Sequence, residues 1–339
     1  MSTDVYILTG YLGSGKTTLL QQLLAYLRDQ SSNVVVMMNE MGEEDVDGEQ
    51  VEGFGFPVKK MLNGCICCSI RGELTENLKE IMQNIKPEHL IIETTGVADP
   101  IEVVDAMTHP ELYDKMNLKG IISVIDASRY LELTSFFQAG GALIKTIRNQ
   151  VKYADLLIIN KVDLVEEDIL TKVKAKLQEA NAHAPIHVTI RTEMDLEKLL
   201  QVKRLAQSRE MSNVSPSIPV QKTIGRFSPL DKLKQTLGFK PNQPSLFHSI
   251  DTFSYHFRGP VDAEAFEDFL YDLPKTIYRA KGYVQFIGQD DLIISFQQTQ
   301  TQVHLFPFTN FGPKMVAVFI GEGFDKDNII EALEKCYRT

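Results

Sequence analysis

Apolar residues along this chain fall into two kinds of repeat, and the alternation of the two predicts its architecture. A short run at 5–8 is followed by Leu20, Leu23, Leu24 and Leu27, one face of a helix. Residues 33–38 form a second β-branched run. Across 70–85, Leu74, Leu78, Ile81, Met82 and Ile85 share a helical stripe, and residues 89–93 have the length of a buried strand. Further runs at 120–126 and 155–160 lead to a helix marked by Ile169, Val173 and Leu177, then to a short strand at 186–190. Strands apolar throughout, alternating with helices, predict an α/β fold with a mostly parallel sheet covered on both faces.

The pattern then breaks. Five of the 14 prolines (Pro216, Pro219, Pro229, Pro241 and Pro244) fall within 208–245, which predicts a linker with one short helix at 230–237. Beyond it come a strand at 249–257, a helix at 263–270, strands at 282–287, 292–296, 303–306 and 314–320, and a helix at 326–336. Gln289-Asp290-Asp291 is a turn signal between two of these strands. The expected layout is a domain at 1–207, the linker at 208–245, and a smaller α+β domain with an antiparallel sheet at 246–339.

Composition narrows the function classes. A chain of 339 residues suits two domains, and 43% hydrophobic with 24% charged residues is ordinary for a soluble globular protein. A net charge of −10 argues against a nucleic-acid or anionic-membrane partner. It leaves a small anionic ligand open, because a phosphate site is a local field. No apolar run approaches the ~20 residues of a membrane span. The first motif starts too early for a signal peptide ahead of it, and three of the four cysteines crowd into 65–68, unlike a disulfide framework. A cytoplasmic protein is expected.

Gly10 to Thr17 reads G-x-x-x-x-G-K-[ST] between a strand and a helix, the setting that makes this pattern a phosphate cradle. Its glycines let backbone N–H groups turn inward, and the helix N-terminus adds positive potential. Gly10, Gly13, Ser14, Gly15, Lys16, Thr17 and Thr18 are the candidate phosphate contacts, with Lys16 on the β- and γ-phosphates and Thr17 on Mg²⁺. Glu93 ends a strand, where such proteins hold Mg²⁺ or its water shell, and Gly96 offers an N–H to the γ-phosphate. The acidic stretch 39–48 lies where a γ-phosphate-sensing segment belongs; Asp47 there either meets the metal or orients water, or the loop is simply solvated. Asn160-Lys161-Val162-Asp163 follows a buried strand. Asp163 is placed to accept from guanine N1–H and its exocyclic amine, Asn160 to read the base edge, and the Lys161 stem to cover the ring; adenine would leave that carboxylate unpaired. Lys16, Glu93 and Asp47 are thus the catalytic candidates, and Asp126 has the look of a turn cap.

Cys65, Cys67 and Cys68 precede a helix whose positive end favours the thiolate. Three thiolates without an obvious fourth protein ligand leave a coordination position open, which suits transfer of a metal better than permanent structure. Thiolates suit Zn²⁺ or Cu⁺, and geometry decides among Zn, Co and Ni. Cys336 reads as a packing residue.

The ordered set Gly10 to Thr17, Asn39-Glu40-x-Gly42-Glu43, Asn63-Gly64-Cys65-Ile66-Cys67-Cys68, Glu93-x-x-Gly96 and Asn160-Lys161-x-Asp163 resembles the CobW family of metallochaperone GTPases. Tyr278 to Gly282 and Val318 to Gly321 resemble that family's second domain, so the likeness covers almost the whole chain. The resemblance implies a SIMIBI-type P-loop GTPase fold. It also implies slow GTP hydrolysis to GDP, coupled to binding a transition metal, zinc first and cobalt or nickel next, and to its delivery to a client metalloprotein. Cys65, Cys67 and Cys68 match the metal motif; Glu43 and His109 lie where some members have extra ligands, and Met38 stands where some relatives carry glutamate. A partner or a homodimer would supply any missing catalytic group. Two other readings stay open: a cofactor-assembly GTPase dedicated to one metalloenzyme or cobalamin pathway, and a thiol-based metal or redox sensor that uses GTP as a structural ligand.

Overall fold

The computed structural model describes residues 2–40, 55–62, 69–135, 141–204, 250–289, 292–299, 302–308 and 314–337. The linker at 208–245, its predicted helix, and Asp290 and Asp291 of the turn signal lie outside these.

The first half runs β1 (Thr3–Thr9), α1 (Lys16–Asp29), β2 (Val34–Glu40), β3 (Val58–Leu62), α2 (Ser69–Asn84), β4 (His89–Glu93), α3 (Pro100–Met107) and β5 (Met116–Asp126). It continues with α4 (Tyr130–Leu133), α5 (Gly141–Lys152), β6 (Leu156–Asn160), α6 (Glu167–Ala180), β7 (Ile186–Val188) and α7 (Leu196–Leu200). Among the described residues seven strands form one sheet in the order β3-β2-β4-β1-β5-β6-β7, every pairing parallel.

Strand alternation explains the two cores. In β1, Val5 and Ile7 face α2 and α3, meeting Leu74, Leu78, Ile81, Val103 and Met107. Tyr6 and Leu8 face the other way, onto Leu19, Leu20, Leu23, Leu24 and Leu27 of α1. Ile125, Leu157 and Ile159 pack with Ile147, Val151, Val173 and Leu177 on the far side of the sheet. These α1 leucines are fully or almost fully buried, so truncating one to alanine costs about 2–5 kcal/mol.

The predicted stripes hold with local differences. Ile85 falls past the end of α2 and is 40% exposed, and Ile190 lies past the three-residue edge strand β7 at 49% exposed. β5 begins at Met116, four residues before the apolar run, because pairing with β1 carries it through a register shift between Val5 and Tyr6.

The second half runs β8 (Asp251–His256), α8 (Ala263–Tyr271), β9 (Ile277–Gln285), β10 (Ile293–Thr299), β11 (Gln302–Phe308), β12 (Val316–Gly321) and α9 (Lys326–Glu334). Its antiparallel sheet has the order β11-β10-β9-β12-β8. Phe266 of α8 anchors the core, edge-to-face with Phe296 at 5.1 Å between ring centroids and packed on Phe257 and Phe286. Gly282 lets β9 and β12 approach; a Cβ there would lie 1.8 Å from the Val316 carbonyl oxygen. Cys336 is buried in this core, its thiol donating to the Ala265 and Ala332 carbonyls.

Candidate functional site

The four central strands β4, β1, β5 and β6 end together, and the chain leaves each of them through a candidate segment: the glycine loop after β1, Glu93-Thr94-Thr95-Gly96 after β4, Asp126 at the end of β5 and Asn160-Lys161 after β6. Ligands of open parallel sheets bind at this carboxyl edge.

The glycine loop adopts backbone angles that other residues resist, with φ of 137° at Gly10, 74° at Gly13 and 110° at Gly15. Side chains are also excluded by space: a Cβ on Gly10 would lie 2.2 Å from the Val124 carbonyl, and one on Gly15 would lie 2.5 Å from Asn160 Nδ2. α1 starts at Lys16 with no side-chain cap, so the N–H groups of its first turn face the cradle. Ser14 is fully buried, and its Oγ has no hydrogen-bond partner among the described residues. Lys16 Nζ donates to the Gly10 carbonyl at 2.9 Å and lies 3.4 Å from that of Tyr11, folded over the loop where phosphate oxygens would replace these carbonyls. A glycine loop that runs into an uncapped helix start, with a lysine and an orphaned hydroxyl, fits a polyphosphate.

Thr17 Oγ1 donates to Glu93 Oε1 at 3.0 Å, joining α1 to the end of β4. A hydroxyl beside a carboxylate at a phosphate site is a hard oxygen donor pair, suited to Mg²⁺ or its water shell. Gly96 lies against the same loop; a Cβ on it would be 2.3 Å from Leu12 N.

Asn160 is buried, and its side chain is committed to the protein. Its Nδ2 donates to the Ser14 carbonyl at 2.9 Å, while its Oδ1 accepts from Thr192 N at 2.9 Å and Thr189 Oγ1 at 3.3 Å. It therefore braces the glycine loop against the turn after β7. Lys161, with φ 61°, donates from Nζ to the Gly13 carbonyl at 2.6 Å and to Asp126 Oδ2 at 2.7 Å. Asp126 caps the turn as expected, accepting from Ser128 N and Oγ, but it also holds Lys161 over the loop. Burial opposes its ionisation, yet the bonds from Lys161 and Ser128 prevail and hold its carboxyl below the usual range. Asp163 is exposed, free to meet a base edge.

Cys65, Cys67, Cys68, Glu43 and Asp47 lie outside the described residues. His109 follows α3, half-buried, and its Nδ1 accepts the Glu111 N–H at 3.3 Å. That bond puts the ring proton on Nε2, so a metal at Nε2 would require the other tautomer. Burial, aided by Lys79 and Lys281, lowers its pKa to about 4, leaving the neutral imidazole that metals take. Among the described residues no three His, Cys, Asp or Glu side chains gather as a metal cluster, and no helix is long and apolar enough to cross a membrane.

Residues 4–188 match the family described as CobW/HypB/UreG, nucleotide-binding domain, and residues 250–337 match the cobalamin synthesis protein CobW C-terminal domain. The chain belongs to the CobW/HypB/UreG family. It is 31% identical over 218 residues to the zinc chaperone YjiA of Escherichia coli, covering 62% of this chain and 65% of that protein. With the zinc-regulated GTPase metalloprotein activator 1 of Schizosaccharomyces pombe it shares 29% identity over 290 residues, 81% of this chain and 66% of that protein. The chain spans between 47% and 66% of the length of the curated relatives it matches. The crystal structure of Zn(II)-bound YjiA GTPase from E. coli aligns over 100% of both chains at 24% identity with a TM-score of 0.45.

Several residues of this CobW/HypB/UreG member brace the loops around the glycine loop and Glu93 although little in the sequence marks them. Thr192 and Arg191 both have positive φ, and the Arg191 carbonyl accepts from Gln22 Nε2 at 2.9 Å, pinning the post-β7 turn to α1. Two threonines after a short strand, Thr189 and Thr192, are the only sequence signal there. Gln150 and Asn149 of α5 carried no signal at all, because they reach the loop after β4 only through tertiary packing.

Proposed function

We propose that this chain binds GTP with Mg²⁺ at the carboxyl edge of its parallel sheet, hydrolyses it to GDP, and uses that cycle to hold and release a transition metal. Zinc is the first candidate, cobalt or nickel the next. The observation that carries the reading is the Thr17–Glu93 bond across a glycine loop whose Ser14 carbonyl is gripped by Asn160. The relatives' names, zinc chaperone and zinc-regulated GTPase metalloprotein activator, support zinc as cargo.

In this reading Lys16 leaves the loop carbonyls for the β- and γ-phosphates, and Asp163 selects guanine. Magnesium, when bound, neutralises charge developing on the β–γ bridge. Glu93 holds the ion's surroundings, Gly96 offers its N–H to the γ-phosphoryl oxygens, and water displaces GDP from phosphorus. Cys65, Cys67 and Cys68 bind the cargo, joined by Glu43 and His109, with Asp47 in the γ-phosphate-sensing segment. These cysteines lie in sequence between the phosphate loop and Glu93, so γ-phosphate and metal bias the same stretch of chain, reciprocally. Hydrolysis releases the ion to a client metalloprotein.

The test is zinc affinity measured with a non-hydrolysable GTP analogue, with GDP and with no nucleotide. The analogue is expected to tighten zinc by about tenfold, within the usual range of coupling. Equal affinities in all three states would end the delivery reading.

A further inference from the structure

We propose that Gln150 is a positioning residue for the loop after Glu93, and that the helix carrying it couples the smaller domain to the nucleotide. The ligand in this inference rests on the GTP reading above; the geometry does not.

Gln150 is 1% exposed, and its Nε2 donates to the carbonyls of Gly96 at 3.2 Å and Ala98 at 3.1 Å. Next to it, Asn149 Nδ2 donates to Asp99 Oδ2 at 2.6 Å. The other oxygen of Asp99 accepts Ile101 N at 3.0 Å and starts α3. At the loop's opposite end Thr94 is bonded through N and Oγ1 to the Leu8 carbonyl. The segment 94–99 is thus held between β1 and two polar side chains of α5, with Gly96 pressed on Leu12 of the phosphate loop.

Both helices attached to this segment end on the second sheet. α5 finishes in Lys152, ion-paired with Glu322 at 2.9 Å, and the next residue, Tyr153, meets the Tyr278 hydroxyl at 3.2 Å. α3 carries Asp105, which is 6% exposed and pairs with Arg279 and with Lys281, the latter at 2.8 Å; Lys281 also donates to the Asp105 carbonyl. A buried carboxylate between two cations resists separation, since loss of a partner leaves charge unpaired in a poor solvent. Movement of the 94–99 loop toward a γ-phosphate must therefore carry α3 and α5 with the second sheet, or strain these bonds. The docked pose of the smaller domain and the nucleotide state then bias each other by the same free energy.

The experiment uses the full chain with Mg²⁺ and compares dissociation constants for GDP and a non-hydrolysable GTP analogue. Wild type, Gln150→Ala, Arg279→Gln and the double variant are measured, with Glu322→Gln as a second break of the domain contact. Each single substitution is expected to lower the preference for analogue over GDP by about threefold or more. The double variant should fall little further than the larger single effect, as for residues in one coupled unit. In nucleotide-free protein, amide exchange at 96–101 should also quicken in Arg279→Gln, although the side chain that Arg279 pairs with is Asp105, outside that segment. Wild-type preference and wild-type exchange in Arg279→Gln and Glu322→Gln, or single effects that multiply independently, overturn the inference. Wild type that binds no guanine nucleotide overturns the functional reading instead, and the exchange arm still decides the coupling.

Discussion

Thr17 Oγ1 and Glu93 Oε1 are 3.0 Å apart although 76 residues separate them in the chain. β1 and β4 are neighbours with Leu8 opposite Glu93, so the first turn of α1 and the end of β4 meet at one edge. Glu93→Gln keeps an acceptor for Thr17 and removes only the charge. Turnover is expected to fall about a hundredfold, the scale of losing one electrostatic group at a phosphoryl-transfer site. The Mg²⁺ concentration for half-maximal rate should rise alongside. A Mg²⁺ titration of steady-state hydrolysis checks both, and an unchanged rate would remove Glu93 from the machinery.

Asn160 and Asp163 belong to one four-residue motif but should fail differently. Asn160 bonds the Ser14 carbonyl and Thr192 N from a buried position, so Asn160→Ala leaves both unpaired and costs about 1–3 kcal/mol. It should weaken binding of every nucleotide by loosening the phosphate loop. Asp163 is exposed and makes no such brace among the described residues. Asp163→Asn should leave the melting temperature alone and shift preference from guanosine toward xanthosine nucleotides, since an amide can donate to a carbonyl at the purine 2-position. Paired melting curves and competition binding separate the two roles; equal loss of stability in both would contradict them.

The parallel sheet, the glycine loop and the Asn160–Asp163 motif were legible because each rests on local rules: apolar runs of strand length, glycines that tolerate positive φ, and a motif at a strand's end. β3 was not, because Lys59 and Lys60 interrupt its apolar run, and α3 (eight residues) and α4 (four) are helices too short to show a repeat. α5 does carry a legible stripe, Ile144, Ile147 and Val151. The brace made by Asn160 and the ion pair of Asp126 with Lys161 were illegible for a different reason. They join residues whose spacing in sequence says nothing, and only the parallel order of β1, β5 and β6 brings them together.

The Asp126–Lys161 pair gives a pH dependence of known sign. The folded-state pKa of Asp126 is lowered, so its contribution is complete above the usual carboxylate value of 3.8 and is lost as pH falls through the lowered value. Lys161 is 33% exposed against 4% for Asp126, so solvent trims the pair to about 1 kcal/mol. Asp126→Asn should therefore be less stable than wild type by roughly that amount at pH 7, with the gap closing below pH 3.8. Denaturant melts at neutral and acid pH check this. A gap that persists in acid would show that the turn cap, not the charge, is what the substitution damages.

Cys336 offers a way to count the other thiols separately. Burial first, then the nearby Asp262 charge, raise its pKa to about 11, so at pH 8 on the order of one molecule in a thousand carries the reactive thiolate. The side chain is also enclosed, being 2% exposed. An aromatic disulfide reagent added to native, metal-free protein at pH 8 should therefore leave Cys336 unmodified while it reaches the three thiols at 65–68, and unfolded protein should give all four. One equivalent of Zn²⁺ should then protect the native three, since a metal-bound thiolate is no longer a free nucleophile. Cys336→Ala should change the unfolded count by one and the native count by none. Modification of Cys336 in the folded chain would mean that the core around Phe266 and Leu333 opens on the timescale of the reaction, and native thiols left unprotected by zinc would remove Cys65, Cys67 and Cys68 from the cargo site.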